Sequence, residues 1–180
     1  MQVMSGRVDD LARMTVMDAS GVATTLASLW ADHTAVLVFV RHFGCIHCRE
    51  HVEQLQRRID ELHAAGAELF VIGNGSPSFI EGFREQTKWS GAVYTDPSLA
   101  VYKVAGMKRG VVSTFNPRSA LRSFGAIARG YLPQKMQGDN WQQGGVLVIR
   151  GGDVVWSHES NGPGDNASVD QVLAALRRAA

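Results

Sequence analysis

The stretch Thr34-Ala35-Val36-Leu37-Val38-Phe39-Val40-Arg41-His42-Phe43-Gly44-Cys45-Ile46-His47-Cys48-Arg49-Glu50-His51 contains a strand, a turn and the start of a helix. Its first seven residues are β-branched or apolar almost throughout, as in a central strand covered on both faces. Beyond the turn, Val52, Leu55, Ile59 and Leu62 recur at helical spacing. Glu53 and Arg57 add an i,i+4 pair, and Gly66 is suited to the position after the helix. Leu69–Ile72 then reads as a second strand, ended by Gly73-Asn74-Gly75. Strand, helix and strand in about 40 residues make a βαβ unit with a right-handed crossover.

The C-terminal part has a different order. Val146–Ile149 and Val154–Trp156 flank Gly151-Gly152 as the arms of a hairpin. A last helix is expected from Ser168, its N-cap, with Val169, Val172, Leu173 and Leu176 as its apolar stripe and Arg177-Arg178 at its C-terminal end. A βαβ unit followed by ββα is the order of the thioredoxin fold, an α/β architecture with a central mixed sheet flanked by helices. The chain reads as one such domain, with a core over about 34–180, an N-terminal extension and an insertion over about 97–140. Within these, the sequence predicts helices over 22–30, 78–88, 98–104 and 119–129 and a short strand over 92–95.

Composition narrows the function classes. The chain has 180 residues, 45% hydrophobic and 19% charged, with a net charge of +1. That is enough to bury a core, and the balance gives no global reason to expect nucleic acid. The longest apolar run, Ala35–Val40, is far too short for a membrane span of about 20 residues, so no membrane partner is expected. No apolar signal region follows a basic start, which points to the cytoplasm. From Pro97 to Gly138 there are seven bases and no acid. Such a segment is either a solvated loop or an attractant for an anionic partner.

The two cysteines, Cys45 and Cys48, form a C-x-x-C. At a helix start, free N–H groups and the macrodipole favour a thiolate, and residues three apart share a face. One sulfur can attack while the other resolves. Helix position favours Cys45 as the more exposed thiolate, with Arg41, His42, His47 and Arg49 able to lower its pKa if they point inward. His42 or His47 is also placed to give a proton to a leaving group. His51 reads as a helix-surface residue, as do His33, His63 and His158. The His and Cys spacing is too compressed for a zinc cage from one helix start, so no metal is expected. Phosphate-loop and dinucleotide patterns are absent, since nothing completes Gly73-Asn74-Gly75.

Several separated segments resemble the peroxiredoxin-like branch of the AhpC/TSA group, within the thioredoxin-like superfamily. They are Val38–Glu50, Val71-Ile72-Gly73, Tyr94-Thr95-Asp96-Pro97, Tyr102, Gly106–Gly110 and Gly138–Gly145. The resemblance implies a thiol-dependent antioxidant oxidoreductase that reduces a peroxide, either a hydroperoxide or, as in a branch resembling prostamide/prostaglandin F synthase, an endoperoxide. It implies no bound cofactor, an external reductant of thioredoxin or glutathione type, and room for a homodimer. Peroxiredoxins carry T-x-x-C with the attacking cysteine last, the place of Cys48, whereas thioredoxins attack with the first cysteine, the place of Cys45. Where thioredoxins have a cis-proline, this chain has Gln143-Gly144-Gly145, open to close approach by substrate or backbone. The residues also allow a thioredoxin-type protein disulfide reductase, or a non-enzymatic redox- or metal-responsive interaction module.

Overall fold

A computed structural model describes residues 2–110, 117–132, 135 and 137–179. Strand β3 (Thr34–Phe39) is buried along its whole length. It pairs parallel with β4 (Ala67–Gly73) and antiparallel with β6 (Gly145–Arg150). On one side β5 (Ala92–Thr95) and then the short ribbon β1 (Thr15–Met17) and β2 (Ala23–Thr25) extend the sheet, and on the other β7 (Asp153–Glu159) closes it. The strand order is β2-β1-β5-β4-β3-β6-β7. The expected mixed sheet is present, with the βαβ and ββα halves meeting at the β3–β6 pair.

Alternation along β3 builds two cores, because successive side chains point to opposite faces. Val36 and Val38 join Cys48, Val52 and Leu55 of helix α2 (Ile46–Arg57), and Val172, Leu173 and Leu176 of the C-terminal helix. Ala35, Leu37 and Phe39 join Val8 and Leu11 of helix α1 (Gln2–Ala12), together with Leu26, Leu29 and Tyr102. The cysteine pair thus sits at the upper edge of the first core.

Two expectations change. Residues 22–30 are not a helix: the β-branched pair Thr24-Thr25 lies in β2, and a single 3-10 turn over Leu26–Leu29 buries both leucines. The helix expected from 46 to 62 breaks at Arg58 (φ −122°, ψ 24°) into α2 and α3 (Ile59–Ala64), where the Arg58 guanidinium joins Glu61 and Asp170. The helix expected over 119–129 is present: beyond α4 (Ile80–Thr87) and α5 (Ala100–Val104), the basic segment contains helix α6 (Pro117–Ala128), which docks on α2.

The hairpin and the last helix, α7 (Val169–Ala179), follow the sequence expectation closely. Gly151 and Gly152 both have positive φ, 56° and 82°, which an L side chain resists and a primed two-residue turn requires. Ser168 Oγ accepts from the Gln171 amide (3.2 Å) while Gln171 Oε1 accepts from the Ser168 amide (2.8 Å), a reciprocal capping box. Ser168→Ala is expected to cost about 1 kcal/mol of stability, read from the urea midpoint at unchanged slope. No helix among the described residues is long and apolar enough to cross a membrane.

Candidate active site

The chain leaves β3 at Val40, whose amide still bonds the Ile72 carbonyl (2.9 Å), and turns through residues 41–44. Cys45 closes that turn, its amide bonded to the His42 carbonyl (3.1 Å), and is the N-cap of α2 in extended geometry. A side chain at Gly44 would meet the Lys135 carbonyl, the Phe43 amide donates to the Gln137 carbonyl (3.3 Å), and Arg41 Nη2 donates to the Asn140 carbonyl (2.6 Å). Carbonyls from the end of the insertion therefore strap the turn down.

Both cysteines are free thiols, and each is only 4% exposed. Helix position therefore does not leave Cys45 the more exposed, because the strap covers the helix start. The pair is distinguished by electrostatics instead. The Cys48 thiol donates to Cys45 and Arg41 Nη1 lies 4.0 Å from Cys45 Sγ, which together pull the Cys45 pKa down to about 6 against the cost of burial. Burial pushes Cys48 well above the ordinary thiol range, and its hydrogen bond to Cys45 pushes it the same way. The Arg41 amide donates to Cys48 Sγ (3.3 Å). One sulfur is thus a thiolate at neutral pH beside a protonated partner.

Of the four side chains expected to assist Cys45, Arg41 reaches it. Arg49 turns away to Gln86 Oε1 (3.2 Å) and the Leu132 carbonyl. His47 Nε2 pairs with Ser123 Oγ (3.0 Å) on α6, and burial lowers its pKa. His42 is buried in the turn with Nδ1 unpartnered. Burial first and the Arg41 charge second bring its pKa to about 4, so it is neutral at pH 7.

His51, expected on the helix surface, is buried at 5% with its pKa also near 4, because the segment around Ala167 covers that face of α2. His33 and His158 are not on helices. His33 stacks on Phe70 (6.0 Å between centroids), and His158 Nε2 lies 3.1 Å from the Asp165 carbonyl. His63 is exposed on α3 as expected.

Gly144 and Gly145 admit protein, not substrate. A Cβ on Gly144 would strike the Phe39 carbonyl, and one on Gly145 the His158 carbonyl and the Met107 sulfur. Two residues to which the sequence gives no site role complete the frame. Asn74 Nδ2 donates to the Arg41 carbonyl (2.5 Å) and its Oδ1 accepts from the Asp139 amide (2.8 Å). The Tyr102 hydroxyl is shared between the carbonyls of Val40 (2.7 Å) and Ile72 (2.8 Å). The available signal was Gly73-Asn74-Gly75 itself: its glycines make room for the Phe43 ring and the Gln137 carbonyl.

The family described as AhpC/TSA antioxidant enzyme matches residues 54–162, a span that begins after the cysteine pair. A chloroplastic thioredoxin-like protein of Arabidopsis thaliana, AAED1, is 34% identical over 94% of this chain and 73% of its own length. Peroxiredoxin-like 2C of Mus musculus is 35% identical over 91% of this chain and 77% of its own length. The crystal structure of peroxidoxin BcpB from Mycobacterium tuberculosis superposes with a TM-score of 0.67 at 20% identity, covering 92% of each chain, a likeness of fold. With the matched span covering more than half the sequence, and relatives of this identity running nearly its full length, the chain belongs to the AhpC/TSA antioxidant enzyme family.

Proposed function

We propose that this thiol-dependent peroxide reductase attacks with Cys45 and resolves with Cys48. The observation that carries the assignment is the charge asymmetry of the pair: Arg41 and the Cys48 thiol both face the Cys45 sulfur. In the first step the Cys45 thiolate takes the distal oxygen of ROOH. The O–O bond breaks, Cys45 becomes a sulfenic acid, and RO⁻ leaves to be protonated. His42, neutral and with an open ring nitrogen in the same turn, is the candidate to relay that proton. In the second step the Cys48 sulfur displaces hydroxide from the sulfenic acid, giving a Cys45–Cys48 disulfide and water. Two equivalents of an external thiol then restore both cysteines and leave as a disulfide. The turnover needs no cofactor on the chain. Both hydroperoxides and endoperoxides contain the O–O bond this chemistry requires, and a cytoplasmic setting would supply the thiols.

Stopped-flow oxidation of the reduced protein by hydrogen peroxide and by an organic hydroperoxide, followed by tryptophan fluorescence, tests the reading. Cys45 with a pKa of about 6 is roughly 90% thiolate at pH 7, where a free thiol is about 3%. The rate should therefore rise with pH to a plateau with a midpoint near 6. Arg41→Met should move that midpoint up by at least about one unit and slow the reaction at pH 6 by at least about fivefold. A midpoint near that of a free thiol, or rates no faster than one, would remove the assignment.

A further inference from the structure

Helix α6 is amphipathic in the reverse of the usual sense. Its protein side carries small and polar groups: Ala126 is fully buried, and Ser123 pairs with His47 of α2. The opposite side carries Leu121, Phe124 and Ile127, exposed to 75%, 73% and 42%, and Leu132 continues the patch at 66%. These four account for most of the large hydrophobic side chains exposed among the described residues. A contiguous apolar face of this kind on a surface helix marks something that covers it.

The charge around the face indicates what that is. The helix lies inside the stretch 97–138, which holds bases at 103, 108, 109, 118, 122, 129 and 135 and no acid. Arg122 and Arg129 fall along one flank of the apolar arc at 100° per residue, and Lys135 is exposed just beyond Leu132. The acids that face this side are few. Glu50 is paired with Arg129 (2.6 Å), and Asp165 is held by Asn161 (2.8 Å) while sensing Arg122. The face is therefore apolar at its centre and cationic at its margin. Its leucines and phenylalanine stand on a convex helix, where a protein partner's anchors usually enter pockets. Protruding apolar groups bordered by arginine and lysine suit an interface with acyl chains below and anionic headgroups around.

We propose that α6 and Leu132 form a docking surface for an anionic lipid bilayer. The protein binds peripherally, with the apolar arc in the headgroup–acyl boundary and α6 backed by α2. No spanning segment is involved, so this revises only the expectation that the chain has no membrane partner.

Co-sedimentation of the full chain with sucrose-loaded vesicles tests the surface. One set is phosphatidylcholine alone and the other is phosphatidylcholine mixed with phosphatidylserine. The protein is expected to pellet with the phosphatidylserine vesicles and to be released by high salt. Leu121→Gln/Phe124→Gln and, separately, Leu132→Gln should each lower the partition coefficient, the double variant by at least about tenfold. Their circular dichroism and hydrogen peroxide kinetics should match the parent. The Cys45→Ser/Cys48→Ser protein should bind like the parent, so the surface can fail or hold independently of the thiol chemistry. The proposal is overturned if the parent ignores phosphatidylserine, or if the glutamine variants pellet equally. It is also overturned if the parent is a dimer that the double variant dissolves, since the face would then be a contact between copies.

Discussion

Cys45→Ser is expected to abolish the fast reaction with peroxide, lowering its rate at pH 7 by at least about a thousandfold. The remaining sulfur, Cys48, sits in the same pocket but is held protonated by burial, so it cannot substitute as a nucleophile. Cys48→Ser has a different outcome. The serine hydroxyl still donates to Cys45, so the first oxidation survives with a modest slowing. The cycle then stops at the Cys45 sulfenic acid, visible as a single added oxygen in the intact mass. The opposite pattern, with Cys48→Ser silent and Cys45→Ser stalling as the sulfenic acid, would show that the peroxiredoxin position of the attacking sulfur is retained and that Arg41 serves another role. The two serine variants thus separate the family analogy from the local electrostatics, which point to different cysteines.

The two analogies could not be separated from the sequence because the deciding interactions are not local in the pattern. The strand, the turn, the C-x-x-C at a helix start, the hairpin on Gly151-Gly152 and the cap at Ser168 are all encoded within a few residues, by periodicity or by a backbone requirement. They were legible for that reason. The position of Arg41 depends on the Asn140 carbonyl, ninety-nine residues away, and on Asn74 bracing its own carbonyl. His51 looked exposed because helical spacing identifies only the arc that faces the sheet. Its opposite arc is covered by the irregular segment around Ala167, which carries no periodic signal. Arg49 is close to the sulfurs in sequence, yet on α2 it points toward Gln86 and Leu132. Local rules located the thiols and the elements that hold them. Loop packing decided which neighbours reach them.

Packing also sets an acid limit on the fold. His42 and His51 are buried neutral with pKa values near 4, whereas an unfolded histidine titrates near 6.5. Between these values the unfolded chain binds protons that the native chain excludes, so the histidines' contribution to stability is fully present above about pH 6.5 and is lost as the pH drops toward 4. A difference of roughly 2.5 units corresponds to at most about 3.4 kcal/mol for each histidine. Together they approach the whole stability of a typical domain, about 5–15 kcal/mol. Carboxylates with lowered values, such as Asp139 and Asp165, begin to weigh in only below about pH 4, so the histidines dominate the window above it. Urea unfolding at intervals between pH 7.5 and 4.5 is expected to show a steep loss of midpoint through about pH 6 to 5. His51→Gln should flatten that slope in part, since glutamine fills the site without taking a proton and His42 and His47 carry the remainder. A wild-type midpoint that stays level down to pH 5 would mean that the covering segment around Ala167 opens and lets His51 charge in water. The flap over that face of α2 would then be a loosely held part of the fold.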